Sequence, residues 1–371
     1  MELTIKNSDF LPVLQKCSRA LEKKTTIPIL SSFLLVTQDN RLDVAATDLG
    51  VAVTSSVLCQ TVKAGRVCLP GEKLREIIGA LSSEESTTLS VTKARATIKC
   101  GKSRFTIAGT EATSFPEIPE ASELIAIIEA PIFRRAVERT KFAISEEGSR
   151  FTLRAMLLEH REEDEALVFA ATDGHRFAYQ QHILKDTRPF KLLVPLSGLQ
   201  ILSAVLTSMD QIELAFSENH IWLCQGRDTM VLQRTTGSFP EYARIFPKDA
   251  PNSVILKTED LKNGIIRSLI CAGQASAKDS PPPVTLKFEG GDLSLFAADA
   301  INANEAEESV TIQYSGKPVG ALFSGKYLTE CLTVIGTSDV EVRFTNEQSA
   351  FEFRSSPEDG YRYIVMPRRK S

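Results

Sequence analysis

Hydrophobic and polar positions along the chain keep two rhythms in turn. Leu3 to Lys6 alternates as a short strand, and Phe10, Leu11, Leu14, Cys17 and Leu21 then recur at helical spacing. Ser8 is placed to N-cap that helix, and Pro12 falls in its first turn, where a missing N–H does little harm. Three β-rich runs follow, over 32–37, 42–46 and 51–58, joined by short polar turns such as Asp39-Asn40, which predicts an antiparallel meander. The order then restarts with a strand over 66–69, a helix over 71–81 bearing Leu74, Ile77, Ile78 and Leu81, and strands over 87–91, 96–100 and 104–108. One unit is thus two strand-helix-three-strand halves.

The unit recurs. Val44-Ala45-Ala46-Thr47-Asp48 returns as Phe169-Ala170-Ala171-Thr172-Asp173-Gly174-His175-Arg176-Phe177 and again as Phe296-Ala297-Ala298-Asp299, the aspartates lying 125 and 126 positions apart in a chain of 371 residues. Phe133 to Val137 and Leu261 to Ile265 stand where the first helix stands. Leu69-Pro70-Gly71 matches Val194-Pro195-Leu196 and, more loosely, Phe323-Ser324-Gly325. Phe115-Pro116-Glu117-Ile118 closes the first unit as Phe239-Pro240-Glu241-Tyr242 closes the second, and polar linkers lie at 119–123 and 247–252. The expected organisation is α+β, with three tandem domains over 1–121, 122–249 and 250–371.

At 43% hydrophobic and 24% charged, no stretch comes near the ~18 uncharged apolar residues of a membrane span. The start, Met1-Glu2-Leu3-Thr4-Ile5-Lys6, shows no basic head before an apolar run, so a cytoplasmic protein without membrane association is expected. Seven cysteines without a Cys-x-x-Cys argue for neither a disulfide framework nor a zinc site, and they read as small buried hydrophobes. No cofactor is called for. The net charge of −4 argues against coating nucleic acid with the whole surface but leaves room for a local basic lining.

Candidate chemistry is sparse. Asp173 beside His175 would suit a general base, yet no nucleophile motif accompanies the pair, and the matching aspartates 48 and 299 have no histidine. An Asx turn after a strand fits all three. Gly320 to Tyr327 nearly spells a phosphate-binding loop, but Tyr327 stands where a hydroxyl must reach magnesium. Basic residues gather on matching helices: Lys16, Arg19, Lys23 and Lys24; Lys73 and Arg75; Arg134, Arg135, Arg139 and Lys141; Lys262 and Arg267. Taken singly these are solvated helix faces; their recurrence raises the alternative of a shared face toward a polyanion. Acidic residues collect elsewhere, at 159–165 in an expected hairpin tip and at Glu305, Glu307 and Glu308.

Three equal doubled units, together with Ala-Thr-Asp-Gly-His-Arg, Phe-Pro-Glu-Tyr and the terminal Val365-Met366-Pro367-Arg368, resemble the bacterial DNA polymerase III beta subunit family, the sliding clamps, from end to end. The resemblance implies a non-catalytic processivity factor: a head-to-tail homodimeric ring with inner helices and outer antiparallel sheets, encircling double-stranded DNA without reading its sequence. Partners implied are the polymerase III alpha subunit, the clamp loader and other proteins carrying a clamp-binding motif.

Their peptide would enter a groove of Leu153, Thr172, Gly174, His175, Arg176, Phe177, Pro240, Arg244, Ile245, Val365, Met366, Pro367 and Arg368. DNA would be faced by Lys24, Lys73, Arg135, Arg139 and Arg150. The dimer joint would set Lys102, Arg104, Phe105 and Ile107 against Ile270, Cys271, Glu305, Glu307 and Glu308. The chain departs from the family pattern at Phe177, where leucine is usual, at Phe151-Thr152 after Arg150, where tyrosines are frequent, and at Leu196-Ser197, where relatives can be basic. The tail also runs on past Pro367. The main rival is a monomeric, clamp-like peptide-binding adaptor; an enzyme built on Asp173 and His175 is disfavoured.

Overall fold

A computed structural model describes all residues except 25, 122, 146–150, 248–249, 273–281, 300–301 and 370–371. Six α-helices are described: α1 Asn7–Cys17, α2 Gly71–Ala80, α3 Ala130–Lys141, α4 Leu196–Val205, α5 Thr258–Cys271 and α6 Gly325–Val334. Each follows a strand and precedes a three-strand meander, as the apolar periodicity predicts.

Local details differ from expectation. Helix α1 starts at Asn7 with Lys6 as its N-cap; the Ser8 hydroxyl donates to Asp9 instead of capping, and Pro12 sits inside the helix beyond its first turn. An extra strand, Gln60–Lys63, follows the first meander. Of the cysteines, Cys17, Cys59, Cys68, Cys100 and Cys331 are buried, whereas Cys224 and Cys271 are half-buried.

The chain divides into two compact units. One holds 1–134 with 194–235, the other 135–193 with 236–371. In the first, a five-stranded sheet runs Gln60–Lys63, Glu2–Lys6, Ser86–Thr92, Arg95–Cys100, Ser103–Ala108. Its eight-stranded companion is joined at the centre by Asp228–Gln233 pairing antiparallel with Val51–Leu58. In the second, an eight-stranded sheet is joined where Arg176–Ile183 pairs with Tyr361–Val365, and a four-stranded sheet runs Asn304–Thr311, Asp292–Asp299, Pro283–Glu289, Val319–Ser324. The first strand of each half pairs into the meander of the other half, which locks the halves together.

Burial follows the alternation. Leu42, Val44 and Ala46 on one strand, and Phe10, Leu14 and Cys17 on α1, are 0% exposed. Two helices begin on a glycine where a side chain would crowd a leucine: a Cβ on Gly71 would stand 2.5 Å from Leu21 Cδ1, and one on Gly325 2.5 Å from Leu269 Cδ2.

Asp48 and Asp173 close turns, while the residues that follow Asp299 directly, 300–301, lie outside the described ones. Asp48 accepts the backbone N–H of Gly50 and Val51, Asp173 those of His175 and Arg176, and Asp299 that of Asn302. Gly320 lies in a strand that runs straight into α6, so the resemblance to a phosphate-binding loop is accidental.

Candidate functional site

The groove residues all belong to the second compact unit, where the 172–177 turn, the 239–247 loop and the C-terminal strand and tail converge. The turn is set by hydrogen bonds. The Thr172 hydroxyl donates to Arg176 O at 2.5 Å and accepts from Gly174 N at 3.1 Å, while Asp173 Oδ1 holds the next two N–H groups at 2.9 and 3.1 Å. Gly174 has φ +94°, a left-handed conformation that glycine adopts without strain. The tail lies alongside, with Val365 opposite Arg176 in the ladder, Met366 N donating to His175 O at 3.1 Å and Arg368 N donating to Leu322 O at 2.7 Å.

This arrangement sorts the expected residues into rim and foundation. Gly174, His175, Pro240, Arg244, Met366 and Arg368 are exposed, and Ile245 and Pro367 are half-buried. Leu153, Thr172, Arg176, Phe177 and Val365 are buried.

Arg176, expected among the groove residues, is buried instead and turns its guanidinium inward. Its Nε donates to Asp173 Oδ2 at 2.9 Å, one terminal nitrogen to Glu330 and the other to Phe142 O at 2.6 Å, and its Cζ stands 4.2 Å over the Tyr327 ring. Burial opposes the charge, but Tyr363, Glu330 and Asp173 outweigh it and raise the Arg176 pKa above the ordinary arginine range. Phe177 is likewise packing, 2% exposed between Tyr242 (ring centroids 5.8 Å) and Phe246 (5.8 Å, edge-on). Its partners come from the loop that closes the second repeat, which a linear reading does not bring onto this strand.

Asp173 spends both carboxylate oxygens on backbone N–H groups and Arg176. No base is being oriented. Among the described residues no cluster of His, Cys, Asp or Glu could hold a metal ion.

The basic residues expected to face DNA also divide. Lys24 is exposed; Lys73 is exposed and pairs with Glu76 at 3.0 Å; Arg135 is half-exposed and pairs with Asp359 at 2.6 Å. Arg139 is corrected: it is 1% exposed, its guanidinium donating to Asp359 (2.7 Å), Gln180 (2.9 Å) and the carbonyls of Val334 and Ile335. Burial lowers its pKa, with Asp359 pulling the other way. Such a side chain is an internal strut, buried out of reach of phosphate. Arg150 lies outside the described residues. Asp359 and Glu330, the anchors of the two buried arginines, went unnoticed in the sequence because they are 220 and 154 positions away.

At the expected joint, Lys102 and Arg104 are exposed and Phe105 and Ile107 half-buried on or beside Ser103–Ala108, which among the described residues has a strand neighbour on one side only. Asn304–Thr311 is likewise an edge. Glu305 and Glu307 are exposed, and Glu308 pairs with Arg267 at 2.7 Å. Ile270 is 78% exposed and Cys271 half-buried.

Three family models match in succession: the DNA polymerase III beta subunit N-terminal domain over residues 1–119, its central domain over 127–241 and its C-terminal domain over 243–369. The beta sliding clamp of Pseudomonas aeruginosa is 29% identical over 375 residues and that of Escherichia coli K12 26% identical over 381, with all of each chain covered. The crystal structure of the P. aeruginosa DNA polymerase III subunit beta matches at a TM-score of 0.93 with 28% identity, and Caulobacter crescentus pol III beta at 0.91 with 26%, again over the full length of both chains. With its three-domain α+β fold, its antiparallel sheets and a turn that serves packing instead of catalysis, the chain belongs to the DNA polymerase III beta subunit family, the non-catalytic sliding clamps that give replication its processivity.

Proposed function

We propose that two copies join head to tail into a closed ring that encircles duplex DNA and tethers polymerase III and other partners through the groove. The observation that carries this reading is a missing pairing. Each half ends in a third strand, and two of the three possible joints are made within the chain: Val51–Leu58 with Asp228–Gln233, and Arg176–Ile183 with Tyr361–Val365. In both, the third strand of one repeat's first half meets the third strand of the next repeat's second half. By the same rule Asn304–Thr311 seeks Ser103–Ala108, and both are open edges. A head-to-tail contact closes or polymerises.

The charges agree: Lys102 and Arg104 would meet Glu305 and Glu307, and the apolar side chains of Phe105, Ile107 and Ile270 would leave water. The repeats would act as domains over 1–121, 122–249 and 250–371, with helices around the hole and sheets outside. Retention then comes from topology, and Lys24, Lys73 and Arg135 need supply only weak phosphate attraction that permits sliding. The exposed Met366, His175 and Arg244 around half-buried Ile245 suit a linear segment with apolar anchors, such as those of the alpha subunit, the clamp loader and other partners in the cytoplasm.

Electron microscopy of the purified protein in low salt tests this. An annulus of six lobes with an open centre is expected; three-lobed crescents at every concentration would overturn the ring and favour a monomeric adaptor.

A further inference from the structure

The face of the eight-stranded sheet that carries Phe177 and Ile364 continues across the neighbouring strands into a cluster of arginines. Arg343, Arg354 and Arg362 surround Glu352, which is itself 0% exposed. Arg362 Nε donates to Glu352 Oε1 at 2.5 Å. Glu352 Oε2 lies 3.0 Å from Arg354 and 3.9 Å from Arg343 but has no hydrogen bond of its own, and Arg354 Nε is a buried donor with no partner. The second carboxylate nearby, Glu341, is 3.8 Å from Arg343 and accepts the Ser253 hydroxyl at 2.6 Å. Three guanidinia thus face two carboxylates.

Packing alone gives a poor account of this. Arg354 and Arg362 stand directly opposite each other in the ladder, and like charges so placed cost stability. The three arginine side chains are 25%, 17% and 22% exposed, buried enough to be oriented and open enough to be reached.

The cluster is also continuous with the groove. Arg362 Cζ stands 3.8 Å over the Phe246 ring, whose edge meets Phe177, and Ile364 beside Arg362 on the same face packs with Phe177 and Tyr242. An oriented surplus of guanidinium next to the proposed groove matches carboxylates more closely than any neutral group, since arginine presents paired donors in a fixed fork.

We propose that the arginine cluster is a subsite for acidic residues: it receives the aspartate or glutamate side chains that flank the apolar anchors of a partner segment lying in the groove. The proposal rests on the reading of the groove as a peptide site. The net charge of −4 repels acidic peptides at long range, so any preference for them must come from a local feature of this kind.

The test is fluorescence anisotropy on the full chain with two labelled peptides that share a Leu/Phe anchor core and differ only in flanking aspartates or asparagines. The aspartate peptide is expected to bind about fivefold tighter in low salt, as two rim ion pairs would give, with the gap closing as salt rises. Arg354→Gln should remove most of that gap while leaving the asparagine peptide's affinity unchanged. The variant relieves a like-charge opposition but removes the 3.0 Å partner of buried Glu352, so a lowered melting temperature is expected alongside the lost preference. Arg343→Gln provides a second reading of the same loss.

Equal affinities in the unaltered protein, or a full gap surviving in both variants, would overturn the subsite while leaving the groove intact, the latter result assigning the preference to Arg244 and Arg368 on the rim. Binding of neither peptide would overturn the groove reading and the subsite with it.

Discussion

Arg139 reads in the sequence as one more positive charge on a helix beside Arg134, Arg135 and Lys141, and in the structure it is a strut. Its side chain ties α3 to the carbonyls that end α6 and to Asp359 in the turn before the last strand. Arg139→Ala should therefore cost about 3 kcal/mol of stability, the scale for removing one partner from a buried, fully bonded charge, and Arg139→Lys should recover little because one ammonium cannot reach all four acceptors. Urea unfolding of the two variants checks this; a loss no larger than that of an exposed Lys73→Ala would contradict the strut. Helical spacing identified the helix but not which charges turn inward, because the deciding partners come from segments about two hundred positions later. The role of Asp173 was more legible, since a turn-forming aspartate uses neighbours within three residues.

At the scale of elements, alternation and helical spacing identified the two helices and the strands of the first repeat, and the internal repeat carried that order to the other four helices, because apolar periods survive in any context. What they missed depended on contact between elements: the added strand Gln60–Lys63 exists as a neighbour of Glu2–Lys6, and α1 needs no side-chain cap. The same distinction applies to the groove. Its rim, carrying His175, Arg244 and Met366, is a run of turns and tails; its floor is fixed by the 239–247 loop folding over Phe177, which no local pattern announces. The edges make a sharper statement. Phe105→Asp introduces a charge at the centre of the proposed joint, at a half-buried position opposite buried Ile98, so the single chain should lose some melting temperature while the dimer weakens by about thirtyfold or more, the scale of an interface hot spot. Sedimentation velocity over a dilution series measures it. An unchanged association would remove Ser103–Ala108 from the joint.

For the whole molecule, the repeat carries the argument. Among the described residues two of three equivalent strand joints are made inside the chain and the third is left open at both ends with opposite charge, a pattern that a second copy would complete. Such a ring needs no strong grip on DNA; several of its basic side chains are already shared with neighbouring carboxylates, as in Lys73–Glu76, Lys141–Glu138 and Lys262–Glu259, and solvent-accessible pairs of this kind are weak enough to exchange with passing phosphates. Loading the protein with its cognate clamp loader onto a nicked circular plasmid, isolating the complex and then cutting the circle once tests the central claim most directly. Retention on the circle in high salt, followed by loss after linearisation, is the expected result; equal retention on circle and line, or release from the circle by salt alone, would show that contacts and not closure hold the protein to DNA.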